Sequence, residues 1–475
     1  MLKPKRELSL YHVFGIIIGT VIGSGVFINI PIVQKATGSP ILATFAWLVG
    51  GLILIPQIFI FSELGTAYPE QGFGYTYLKK AGSPSLAFLY VWTAFWITDM
   101  PSITIMSVAG IVALKFFFPI LANSILTKII ASLLILTLTS VHYFSVKKGG
   151  NFQFVITIIK ISPLILLSIF GVILFRSENL FIAPLIENYD GNWLWLIILG
   201  VSGTVWSYAG FPNVLYMAGE IKDPQRNIPK ALITSLFFVT LVYTLVGFAS
   251  GLLIPHNELI NLSGSFANPF KYLPWFAGIA GGFLAISAFI SITGATNACI
   301  MAQPRLQYSI ARDGLFFKSF AYLHPKYGTP SKSIIFQSGA AIILIFIGGI
   351  ESLLGYFTFA FLFQNILIFG SIFWLKKRKD YNPTYKAPMW KTMVLFSLII
   401  QPILIIATFQ VFPFKGVIIA SAITALGLPA YLFFKNYEFD GMRIRKVKRK
   451  LATNPSEIKI EENFTGQAKT NKKNN

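Results

Sequence analysis

Apolar runs of about 20 residues recur from Tyr11 to Phe434, each long enough to cross the hydrocarbon core of a bilayer as a helix. In that solvent, backbone that gives up its helical hydrogen bonds survives only inside protein or beside a water-filled cavity. Two runs are nevertheless interrupted, one by Gly23-Ser24-Gly25 and the other by Tyr208-Ala209-Gly210-Phe211-Pro212. Each interruption falls in the first apolar segment of one half of the chain, the placement expected of a binding site for a transported solute. The fold class that follows is an all-α polytopic membrane protein built around a site for a small polar molecule.

Twelve spans are predicted, near 11–33, 39–62, 85–114, 125–145, 151–176, 193–218, 229–253, 275–310, 333–349, 352–375, 390–412 and 415–434. The stretch from Glu63 to Pro84, amphipathic and carrying Lys79-Lys80, reads as a short interfacial helix. Charged residues make up only 12% of the chain, about half the usual share of a soluble protein. The net charge of +21 resides in alternate loops and the tail, so it reports orientation rather than nucleic-acid binding. Lys3, Lys5, Arg6, Lys147, Lys148, Lys222, Arg226, Lys230, Arg305, Arg312, Lys376 and Lys377 fall on one side, which predicts cytoplasmic termini in a cell membrane. The basic start runs directly into a full-length span, which argues against a cleaved signal peptide. Residues 435–475 are polar and basic, and disorder is expected there.

Cys299 is the single cysteine, and His12, His142, His256 and His324 are scattered near span ends. No metal centre, cofactor or nucleophile–base pair is expected from such a set, which argues against an enzyme. Gly15, Gly19 and Gly23 recur at the spacing of a helix-packing face. Unwinding at Gly23-Ser24-Gly25 does more. It exposes the amides of Ser24, Gly25 and Val26 at the start of a half-helix, where amides and dipole suit a carboxylate. At the second break the last carbonyls of the sixth span lack intrahelical donors, so those of Trp206, Ser207 and Ala209 can take an ammonium group. A carboxylate site facing an amine site describes an α-amino acid.

Several motifs carry a family resemblance. Ile22-Gly23-Ser24-Gly25-Val26-Phe27 with Ala36-Thr37-Gly38-Ser39-Pro40, Ser62-Glu63-Leu64-Gly65-Thr66, and Glu220-Ile221-Lys222-Asp223-Pro224-Gln225-Arg226-Asn227-Ile228-Pro229 resemble the amino acid–polyamine–organocation (APC) superfamily. So does Ala311-Arg312-Asp313-Gly314 with Asn297 and Arg305. The nearest branch is that of the L-type amino acid transporters and their bacterial relatives. The resemblance implies a LeuT-type fold of about twelve helices, with 11–176 and 193–375 as inverted five-helix repeats containing broken helices 1 and 6. An N-terminal segment, 1–10, precedes them, and two further spans (390–434) and the cytoplasmic tail (435–475) follow. It also implies that Gly23, Ser24 and Gly25 bind the substrate carboxylate and that the Val21, Trp206 and Ala209 carbonyls bind the amine. Trp206 takes the place of an aromatic outer gate.

Lys160 lies several residues inside the fifth span, where an ionisable group is costly and functional by default. By resemblance, its ammonium stands where sodium-coupled relatives hold the ion, with first-span carbonyls and the Ser287 or Ser291 hydroxyls as partners. That argues against sodium coupling. Tyr243 matches a seventh-span tyrosine that interacts with this lysine. Asp99, in the middle of the third span beside Pro101, departs from the family, whose L-type members usually have an apolar residue there. It suits a cationic substrate side chain, a coupling proton or a neutral structural role. The loop between spans three and four has no cysteine, so no disulfide-linked heavy subunit is expected. The expectation is a secondary amino acid transporter, exchanging or proton-coupled. The alternative is an amino-acid-binding sensor that signals through the tail.

Overall fold

The computed structural model describes residues 6–23, 25–144, 146–174, 192–262, 267–273, 277–347 and 350–436. Ser24 and the tail after Asn436 lie outside the described residues. Among those described, ten helices are long and apolar enough to cross a membrane. Leu10–Val21 and Gly25–Thr37, whose axes meet at 42°, form a broken eleventh. Ser331–Ile347, with 17 residues, stands where the ninth span was predicted. The chain therefore has the predicted succession of spans.

Both breaks fall where the residues cannot continue a helix. The first span stops at Val21 and restarts at Gly25. The sixth runs from Trp193 to Tyr208 and passes into a 3₁₀ segment, Phe211–Glu220, with Pro212 in its first turn. Proline is tolerated there because the first amides of a helix have no intrahelical partner anyway.

The third span hides a different irregularity. Between Pro84–Thr93 and Met100–Ala113, residues Ala94–Asp99 form a π-helical turn. Pro101 has no N–H to offer the Ile97 carbonyl, so α-helical pairing fails at this point. Such wide turns cluster at functional sites.

The predicted interfacial helix needs correction. Glu63–Ala67 is the end of the second span, Pro40–Ala67, and only Phe73–Lys80 is helical beyond it. Phe73 through Leu78 are buried against the third and tenth spans. The amphipathic pattern thus records a face packed on protein rather than on lipid. Glu63, fully buried, accepts from Lys376 Nζ at 2.5 Å, Tyr381 Oη at 2.6 Å and the Ala387 amide at 2.8 Å. Those three donors pin the loop between the tenth and eleventh spans.

The packing follows the order expected of two five-helix halves. The first span packs on the sixth, the second on the seventh, the third on the eighth and the fourth on the ninth. The fifth lies against the first and eighth, and the tenth against the sixth and third. Exchanging the halves maps these contacts onto one another, although the fifth span also packs on the seventh. Because the pairing of first and sixth spans joins the two breaks, the two stretches of non-helical backbone meet.

Candidate functional site

The two breaks hold each other through atoms that only small residues allow to approach. A Cβ on Gly210 would lie 2.5 Å from the Thr20 carbonyl carbon and the Val21 nitrogen, and one on Gly25 would lie 2.6 Å from Ser207 Cα. Thr20 Oγ1 donates to the Gly210 carbonyl at 2.9 Å. Asn29 Nδ2 donates to the Gly203 carbonyl at 2.7 Å and to Ser207 Oγ at 3.1 Å. Alanine at Gly25 or Gly210 pushes on backbone, which has no rotamer to yield. Overpacking of this kind costs roughly 1–3 kcal/mol even where side chains can shift. Gly25→Ala and Gly210→Ala are therefore expected to lower the melting temperature in detergent and to abolish uptake. Alanine at Gly339, where an added methyl would meet no atom within 4 Å, is expected to do neither.

Gly15 and Gly19 belong to a packing face, as their spacing suggests. A Cβ on either would strike Phe154 or Gln153 of the fifth span, whereas Gly23 faces Ala295 of the eighth.

Between the breaks lies a small cavity. Val21, Gly23, Gly25, Trp206 and Ala209 line it together with Asp99. The structure thus brings five of the predicted positions into one chamber with Asp99 in its wall; Ser207 packs against Gly25 without lining it, and Ser24 is outside the described residues. The amides of Gly25 and Val26 begin the half-helix Gly25–Thr37, where intrahelical acceptors are lacking. Over the chamber, the Trp206 ring meets Phe357 edge to face, with centroids 4.5 Å apart.

Lys160 is buried and donates to the Gly19 carbonyl at 2.6 Å and to that of Ile22. These carbonyls belong to the end of Leu10–Val21, where the helix dipole favours a cation. The expected hydroxyl partners need correction. Ser291 Oγ donates to the same Ile22 carbonyl at 3.4 Å, and neither it nor Ser287 bonds the ammonium. The Ile22 carbonyl has two lone pairs, and lysine and serine share it. Tyr243 is corrected too. Its hydroxyl donates to the Val21 carbonyl at 2.8 Å, with the Ser207 carbonyl 3.4 Å away, and not to Lys160. Lysine and tyrosine reach the unwound segment from the fifth and seventh spans and take different carbonyls. The Val21 carbonyl, expected to be open to the amine, is therefore already engaged by Tyr243. Likewise the Trp206 carbonyl accepts the Ala209 amide at 3.4 Å.

At the far end of the sixth span, where Phe211–Glu220 closes, Glu220 gathers a buried network. Its carboxylate accepts from Arg305 Nε at 3.0 Å and Gln71 Nε2 at 2.6 Å, and its carbonyl accepts the Glu7 and Leu8 amides. The sequence singled out Glu220 and Arg305 as motif positions without pairing them.

Other wall residues were not anticipated. Gln364 and Asn365 of the tenth span line the cavity, and each has a buried amide nitrogen with no partner. Adjacent amides in the run Phe363-Gln364-Asn365-Ile366 are a usable signal, since a polar pair in mid-span must face protein or water.

Among the described residues, ten span-length apolar helices, a broken pair, a shorter apolar helix and a chamber between two facing breaks define a membrane carrier for a small solute. The chain belongs to the amino acid permease family, whose sequence profile matches residues 8–428. It is similar to the serine/threonine exchanger SteT of Bacillus subtilis (strain 168), 29% identical over 403 residues that cover 83% of this chain and 89% of that one. It is also similar to the human b(0,+)-type amino acid transporter 1, 28% identical over 452 residues, with 92% and 89% of the two chains covered. The human cystine/glutamate transporter is 28% identical over 437 residues, covering 90% and 85%. The APC resemblance is thereby established, and transport stands over sensing as the reading of the chain.

Proposed function

We propose that the chain moves α-amino acids across the cell membrane by alternating access, binding the zwitterion between the two breaks. The substrate carboxylate sits on the amides that open Gly25–Thr37, with Ser24 beside them. The ammonium group sits at the carbonyl end of Trp193–Tyr208, around Ser207 and Ala209. Trp206 and Phe357 cover the occupied chamber and exclude water. The observation that carries this reading is the mutual lock of the breaks around one cavity, since a donor-rich half-helix start and an acceptor-rich helix end face a common space.

Lys160 supplies a fixed positive charge at the unwound segment, which supports transport without sodium. The distribution of lysine and arginine supports cytoplasmic termini. The single cysteine, Cys299, is buried in the eighth span, which supports a subunit that works without a disulfide-linked partner.

The test is uptake of a labelled amino acid mixture into proteoliposomes that are preloaded with unlabelled amino acids or left empty. Uptake that needs preloading and persists when potassium replaces sodium is the expected result and identifies an exchanger. Equal uptake into empty vesicles identifies uniport or proton-driven transport. Dependence on sodium would contradict the role given to Lys160.

A further inference from the structure

Of the described residues lining the cavity, Asp99 alone is a carboxylate. It is 2% exposed; its Oδ2 has no hydrogen-bond partner, and its Oδ1 has only Thr98 Oγ1 at 3.4 Å. Among the described residues no lysine, arginine or histidine stands within ion-pair distance of it. The two deepest cations are committed elsewhere, Lys160 to first-span carbonyls and Arg305 to Glu220. A buried carboxylate oxygen with no donor is expensive to keep. Its backbone is not accidental either, because Asp99 closes the π-helical turn Ala94–Asp99. A third, independent feature is aromatic. Phe73, Tyr90 and Tyr216 line the same cavity and form a cluster, with the two tyrosine hydroxyls 3.2 Å apart and Phe73 edge-on to Tyr216 at 5.6 Å. A carboxylate beside aromatic rings is a recognised arrangement for binding organic cations.

We propose that Asp99 is the recognition group for a cationic substrate side chain, an ammonium or guanidinium at the far end of an α-amino acid. This rests on the reading of the cavity as an amino acid site. The breaks take the part common to every amino acid, and Asp99 reads what differs. A neutral side chain leaves the carboxylate unpaired, so selection works partly by penalising the wrong substrate.

Arginine and citrulline test this, because they share a shape and differ in side-chain charge. Transport kcat/KM is measured for both, at two pH values, in preloaded proteoliposomes of wild type, Asp99→Asn and Asp99→Glu. Melting temperatures are recorded alongside. Wild type is expected to prefer arginine, a result that depends on no variant. Asp99→Asn is expected to lower the arginine-to-citrulline ratio by roughly 10- to 100-fold, the range for a lost hydrogen bond to a charged group. Asp99→Glu is expected to restore part of it. An equal ratio in wild type and Asp99→Asn overturns the proposal. So does a variant that slows both substrates alike and flattens their pH dependence, which would make Asp99 a proton site. A wild type that carries citrulline and not arginine overturns this assignment alone. So does one that carries neither while still exchanging other members of the labelled mixture, whereas a wild type that exchanges no amino acid overturns the transport reading as well.

Discussion

Lys160→Ala is expected to reduce exchange by about 100-fold or more while the protein still inserts and purifies. The ammonium makes two charge-assisted bonds, to the Gly19 and Ile22 carbonyls, each of a kind worth roughly 1.5–3 kcal/mol. Both acceptors lie at the unwound end of Leu10–Val21, so losing the cation frees the segment that must present Gly23 and Gly25 to the substrate. Lys160→Arg is expected not to rescue. A planar guanidinium cannot fill a pocket shaped for a compact charge that points at two carbonyls. Exchange rate and melting temperature, measured on the same preparations, separate lost turnover from lost folding. Undiminished exchange in Lys160→Ala would remove the lysine from the mechanism.

The largest loss of stability is expected from Arg305→Ala. Arg305 and Glu220 are both nearly inaccessible, at 1% and 3% exposure, and removing one partner of such a pair leaves an uncompensated buried charge. That costs about 3–5 kcal/mol. Gln71 alone would then face the Glu220 carboxylate, and the N-terminal segment anchored on the Glu220 carbonyl would loosen with it. The double variant Arg305→Met, Glu220→Leu is expected to recover much of the melting temperature, since replacing a buried pair outright is often close to neutral. It is not expected to recover exchange if the network must open and re-form in each cycle. Thermal melting in detergent checks the first statement, and uptake checks the second.

Both breaks were legible in the sequence because glycines cluster around a polar residue in one and glycine and proline fall together in the other, whereas the lone prolines Pro56 and Pro163 interrupt no span. Lys160 was legible because a charge in hydrocarbon stands out. What could not be read was which atoms those residues meet. Tyr243 was assigned to Lys160, yet it caps the Val21 carbonyl, a choice made by how the seventh span packs on the first. The stretch after the second span looked interfacial because its polar face was visible in the sequence and its covering helices were not. Asp99 was noticed as an anomaly, but its place in the chamber depends on the π-helical turn before Pro101, and a proline inside a span does not by itself say that the turn widens. Gln364 and Asn365 went unremarked among the apolar residues of the tenth span, although they border the same cavity.

The central claim is that the facing breaks bind the two charged ends of one amino acid. The direct measurement is inhibition of labelled amino acid exchange by a free amino acid, its methyl ester and its N-acetyl derivative. Capping either end removes a charge-assisted contact, so each derivative is expected to inhibit roughly 10- to 100-fold more weakly than the free zwitterion. Equal inhibition by all three would contradict the account, because a site that ignores both charges is not the one these two breaks build.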